Sequence, residues 1–247
     1  MKKRILSILL TLCMVLSMVT PLASATETGQ PEGNTPQTRE PLSLEEGETY
    51  WFQINGMING LYKYYESFVY VGTVNSYVLN AASAGKADSS AAASAATDSD
   101  APYGYCYDHR LFVSAEALEI GTDWNGLYGG GVIFGKPFES GGIAYTMRAP
   151  SAGTDSYLNK TEVRDTPWNN EWDTIRVKGE IDPASLTRNY IKNWQGSPSW
   201  GQDAFAGDAS MRVYRGGEGA DSFVGASPSS GTGIGYRPIL EIPEEME

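Results

Sequence analysis

One histidine, His109, and two cysteines, Cys13 and Cys106, are present in 247 residues. A single imidazole excludes a multi-histidine metal site and leaves any Ser-His-Asp arrangement one candidate base. The cysteines sit in segments with different expected fates, so an internal disulfide is excluded too. Cations are scarce: 18 Lys and Arg stand against 30 Asp and Glu, for a formal charge of -12. No basic run exists beyond the first residues, which excludes nucleic acid as a natural partner. Long apolar stretches are also missing apart from Ile5 to Val19, which is too short to span a bilayer well.

That apolar run follows Lys2, Lys3 and Arg4 and precedes Ala23-Ser24-Ala25, the three-part layout of a secretory signal peptide over residues 1–25. Cleavage removes three cations and no anion, leaving 15 cations and a charge of about -15. Cys13 leaves with the signal, and Leu12 beside it argues against a lipoprotein. The expected product is a secreted or cell-surface protein.

What is abundant is glycine, at 28, and tyrosine, at 15, with 6 Trp. This composition suits strands joined by long loops. Residues 26–47 have little to bury and read as a disordered linker. Residues 48–243 read as one domain, with an Ala/Ser-rich insertion at 81–101, and 244–247 as an acidic tail.

Aromatic and β-branched density predicts strands at Tyr50 to Ile54, Phe68 to Val74, Arg110 to Val113, Ile143 to Arg148, Met211 to Arg215 and Tyr236 to Ile242. Pro238 cannot donate to a ladder, so it belongs at an edge or a strand entrance. A short helix is expected after Thr122, its candidate cap, and a second after Asn170, whose side chain can accept from a free amide. Trp168, Trp172 and Ile175 then share one buried face. Gly216 to Gly235 reads as a loop of small residues.

Four pieces in this order resemble the formylglycine-generating-enzyme-like branch of the C-type lectin fold. They are Trp124 opening a helix; Tyr145-Thr146-Met147-Arg148-Ala149-Pro150-Ser151 with Glu171-Trp172; Arg215-Gly216-Gly217; and Gly235-Tyr236-Arg237-Pro238. The resemblance covers roughly Trp124 to Ile242. It implies an α+β, C-type-lectin-like domain of mixed antiparallel strands with two short helices, long loops and paired terminal strands. The enzyme branch uses two active-site cysteines, and none lies near the C-terminal strands here. The sequence is more similar to the non-catalytic surface proteins of that fold, including the variable proteins of diversity-generating retroelements. Their variable interval corresponds to Gly217 to Gly233.

The resemblance therefore implies binding or adhesion without catalysis, toward a protein or glycan. Trp194, Trp200, Asp221, Ser222, Phe223 and Val224 are the expected contact residues. Trp124, Arg148, Glu171, Trp172, Arg215, Tyr236 and Arg237 are the expected framework, with Arg215 and Arg237 as forks gripping loop carbonyls or Glu171. No cofactor is expected, although Asp203, Asp208 and Asp221 could supply oxygen ligands to Ca²⁺. No Asp-x-Asp-x-Asp-Gly loop accompanies them. Asp108, His109 and Cys106 make a poor thiol-enzyme constellation, for the three lie on one extended segment. The competing readings are a carbohydrate-active hydrolase with paired carboxylates, which no acid spacing singles out, and an architectural module of a larger surface protein.

Overall fold

The computed structural model describes residues 44–54, 56–58, 65–81, 106–118, 122–153, 170–179, 190, 197–205, 207–219, 222–230 and 233–242. The signal peptide, most of the linker and of the Ala/Ser-rich insertion, the acidic tail, Trp168, Trp194 and Asp221 lie outside them.

Ten strands and two helices are present among the described residues. The strands are β1 (Thr49–Gln53), β2 (Tyr65–Tyr77), β3 (Cys106–Ser114), β4 (Lys136–Ser140), β5 (Ile143–Arg148), β6 (Ser199–Phe205), β7 (Asp208–Arg215), β8 (Phe223–Ala226), β9 (Gly235–Tyr236) and β10 (Ile239–Ile242). The helices are α1 (Trp124–Gly129) and α2 (Glu171–Gly179). One sheet runs β1-β2-β3-β10-β5-β4 and the other β8-β7-β6-β9.

The α+β, C-type-lectin-like expectation is overturned. Strands hold 50% of the described residues and helices 12%, in two curled sheets. The terminal strands do not pair: β1 lies at an edge beside β2, whereas β10 is held between β3 and β5. Local motifs such as a Glu-Trp helix start are short-range features, and they do not decide which strands become neighbours.

The central strands β2, β3 and β10 are buried on both faces because they alternate two apolar sets, whereas β1, β4 and most of β5 bury one face only. Phe68, Phe112 and Leu240 face one cluster with Phe52, Tyr145, Trp124, Trp200 and Tyr236. Val69, Leu111, Val113 and Ile239 face the other, where Trp172 and Ile175 of α2 cover them. A bulge between Tyr70 and Gly72 shifts the β2–β3 register. Gly72 takes φ 77°, a conformation that costs glycine little and other residues more.

Asp123, rather than Thr122, caps α1, its carboxylate accepting from the Gly126 amide at 2.8 Å. Asn170 caps α2 by accepting from the Asp173 amide, also at 2.8 Å. Pro238 stands just before β10, at a strand entrance in the sheet interior, and its carbonyl accepts from the Ser114 amide. The Tyr236 to Ile242 run is thereby split into β9 and β10. The segment expected to be a small-residue loop contains β8, and the stretch around Trp200, where no element was expected, is β6. Both were invisible to alternation because glycine, serine and alanine make up much of their length.

Candidate functional site

The polar centre of the molecule forms where β3, β5, β10 and α2 meet. Arg148, at the end of β5, holds both Glu171 oxygens, Nη1 to Oε2 and Nη2 to Oε1 at 2.7 Å each. The same guanidinium reaches Glu241 of β10 at 2.9 and 2.7 Å. Glu171 also accepts from the Ser151 amide at 2.8 Å and meets His109 Nε2 at 2.8 Å. Burial would raise the Glu171 pKa, but the charge and hydrogen bonds of Arg148 and His109 outweigh it and bring it to about 2. This carboxylate is saturated with donors.

His109 faces the Tyr107 carbonyl with its other nitrogen, at 3.1 Å. Asp108 precedes it on β3 and instead accepts from Asn75 at 2.7 Å. Strand alternation turns these two side chains to opposite faces, so they do not form a catalytic dyad.

A second ion pair joins the end of β7 to the first turn of α2. Arg215, at the end of β7, meets Asp173 at 2.7 and 3.1 Å and donates to the Ala152 carbonyl at 2.7 Å and the Ser222 carbonyl at 3.0 Å. Its guanidinium lies 5.6 Å from the Phe223 ring centre and 5.7 Å from that of Trp172. Arg237 is buried as well and donates to the carbonyls of Ser114 and Ala115 at 2.8 and 2.7 Å. Burial lowers the Arg237 pKa to about 9. Arg215 thus grips Asp173 where Glu171 was the expected acidic partner, and Glu171 is taken by Arg148.

Of the other framework residues, Trp124 is buried at the start of α1 with its indole N–H on the Gly201 carbonyl at 3.0 Å. Trp172 lies under α2, and Tyr236 donates to the Val132 carbonyl at 2.7 Å. The expected contact residues divide. Trp200 is fully buried within the main core, its ring edge-on to Tyr214, so it offers no face to a ligand. That placement corrects the surface role, and the cause is strand β6, which turns the residue inward. Ser222 and Phe223 are half-buried and Val224 is 40% exposed.

The calcium candidates also separate. Asp203 is fully buried on β6, accepting from the Tyr77 hydroxyl at 2.7 Å and the Ala152 amide at 2.5 Å. Burial raises its pKa to about 7 despite those donors. Asp208 is exposed and hydrogen-bonds Ser210. Among the described residues no group of three or more His, Cys, Asp or Glu is placed to hold a metal ion. Asp203 and Glu171 have pKa values pushed in opposite directions, a pattern shared with acid–base pairs, but neither carboxyl reaches the surface.

Sequence reasoning missed Glu241, Asp173 and Asp203 as partners of Arg148, Arg215 and Tyr77. Asp173 carries a usable signal, since a carboxylate in the first turn of a helix meets the positive end of its dipole. Glu241 and Asp203 carried none, because their partners are distant in sequence.

No protein-family model, no curated protein and no solved structure matches the chain.

Proposed function

We propose that the chain is an exported, non-catalytic binding module for a protein or glycan, whose contact surface is the end of the second sheet from Ser222 to Ser230. The observation that carries this reading is the contrast across β8. Phe223 rests on Arg215, which is locked by Asp173 and two carbonyls, while the next residue, Val224, projects into solvent. A rigid base with an exposed neighbour suits side chains that contact a partner without supporting the fold. The strongest ionisable groups are committed to one another inside, which favours binding over hydrolysis.

The test is a glycan and protein array probed with the mature chain, with and without calcium, followed by Val224→Asp on any ligand found. Loss of binding with an unchanged melting temperature supports the surface. Unaltered binding by the variant places the contact elsewhere.

A further inference from the structure

The second sheet ends at β8, and its outer edge has a readable hydrogen-bonding parity. The β7–β8 register pairs Arg212 with Ala226, Val213 with Gly225, Tyr214 with Val224 and Arg215 with Phe223. Continued by one residue, it pairs Gly216 with Ser222, and there the Gly216 amide donates to the Ser222 carbonyl at 3.3 Å. Antiparallel ladders alternate hydrogen-bonded and non-hydrogen-bonded pairs. Val224 and Ala226 therefore spend their backbone groups on β7, and Phe223 and Gly225 turn theirs outward. No backbone partner for those outward groups occurs among the described residues.

This edge also lacks the usual guards against strand addition. The edge strand β4 carries Lys136, Pro137 and Glu139, and the short edge strand β9 is covered by a reciprocal bridge between Leu118 and Tyr236. Phe223-Val224-Gly225-Ala226 has no charge, no proline and no bulge. Beside Gly225 the Phe205 ring takes the place of a side chain: a Cβ there would fall 2.5 Å from Phe205 Cγ. An incoming strand meets the half-buried rings of Phe205 and Phe223, 6.0 Å apart and tilted by 38°, on one side of the sheet and Val224 on the other.

We propose that β8 accepts an extended polypeptide segment of another protein as a fifth strand, hydrogen-bonded through the backbone groups of Phe223 and Gly225. Charge selects the occupant. The exported chain carries about -15, so a second copy is repelled, whereas a neutral or basic segment with apolar residues is not. The proposal rests on the binding-module reading and names its partner class.

A random dodecapeptide library displayed on phage is selected on the full chain after export. A recovered peptide is then titrated against the wild type, Phe223→Ala and Phe223→Pro. Phe223→Ala keeps the outward N–H and Phe223→Pro removes it without touching a ladder bond. The expected result is binding about tenfold or more weaker for the proline variant than for the alanine variant. N-methylation of alternate peptide residues should weaken binding similarly in one register and leave it intact in the other. That arm decides alone if the proline variant fails to fold. Equal binding by both variants together with indifference to N-methylation in both registers overturns strand addition. So does a library that yields no binding peptide. A chain that binds array glycans but no peptide sinks this proposal and leaves the binding-module reading standing. Sedimentation showing a dimer that Phe223→Pro dissolves overturns the choice of partner in favour of a second copy.

Discussion

Arg148 and Glu171 meet through two parallel contacts of 2.7 Å, and neither side chain is more than 1% exposed. The pair joins the end of β5 to the first turn of α2, and Glu241 extends it to β10. A buried ion pair is a poor source of net stability but a strong source of geometry, because removing one partner strands the other in a low-dielectric interior.

Arg148→Ala should therefore destabilise the fold by about 3–5 kcal/mol in urea unfolding, since it leaves Glu171 and Glu241 without their shared cation. A loss below about 1 kcal/mol would mean that water or rearrangement replaces the guanidinium at little cost.

The pH dependence should have two limbs. Asp203 has a folded pKa of about 7 against 3.8 unfolded, so the folded state holds its proton more tightly. Its stabilising contribution is complete below about pH 4 and is lost as pH rises to about 7. Glu171, at about 2 against 4.5, works in the opposite sense: its contribution is present above about pH 4.5 and is lost as pH falls toward 2. Melting temperature should peak in mildly acidic buffer, between the two windows, and decline toward neutrality. Asp203→Asn should flatten the decline toward neutrality, and an unchanged slope in that variant would assign the limb to another group.

Trp200→Ala should cost about 3–5 kcal/mol by emptying a core position, whereas Val224→Ala should stay within about 0.5 kcal/mol of the wild type. Thermal unfolding of the two variants side by side distinguishes a core residue from a surface one. Similar losses from both would remove the case for Val224 as a contact residue.

Asn170→Ala should cost about 1 kcal/mol through the lost cap. Its amide also donates to Asp173 Oδ2 at 2.8 Å, the oxygen that Arg215 Nη1 shares. Asn170→Asp keeps the cap acceptor but sets a second carboxylate against Asp173, so it should recover only part of the loss in the same unfolding assay.

Local chemistry was legible where the cause is local. The cap at Asn170, the burial of Trp172 and Ile175 and the β5 strand all follow from neighbours within a few residues. Arg215 and Arg237 could be read as internal forks because the planar guanidinium suits bidentate hydrogen bonding to carbonyls or a carboxylate. Trp200 departs from the surface expectation, since a tryptophan among Gly, Ser and Pro looks like a loop residue until β7 and β9 pair on either side of it. β8 was hidden for the same reason: four small or apolar residues carry too little alternation to mark a strand.

The sequence by itself determined the acidic charge, the single histidine, the aromatic supply of the core and the positions of most strands, because composition and short-range periodicity act along the chain. Tertiary structure alone decided that β10 lies between β3 and β5, that Glu241 rather than a neighbour completes the Arg148 pair, and that Asp203 is sealed beneath Tyr77. Those outcomes depend on strand order. Pairing energies between segments about ninety residues or more apart leave no pattern in either segment alone.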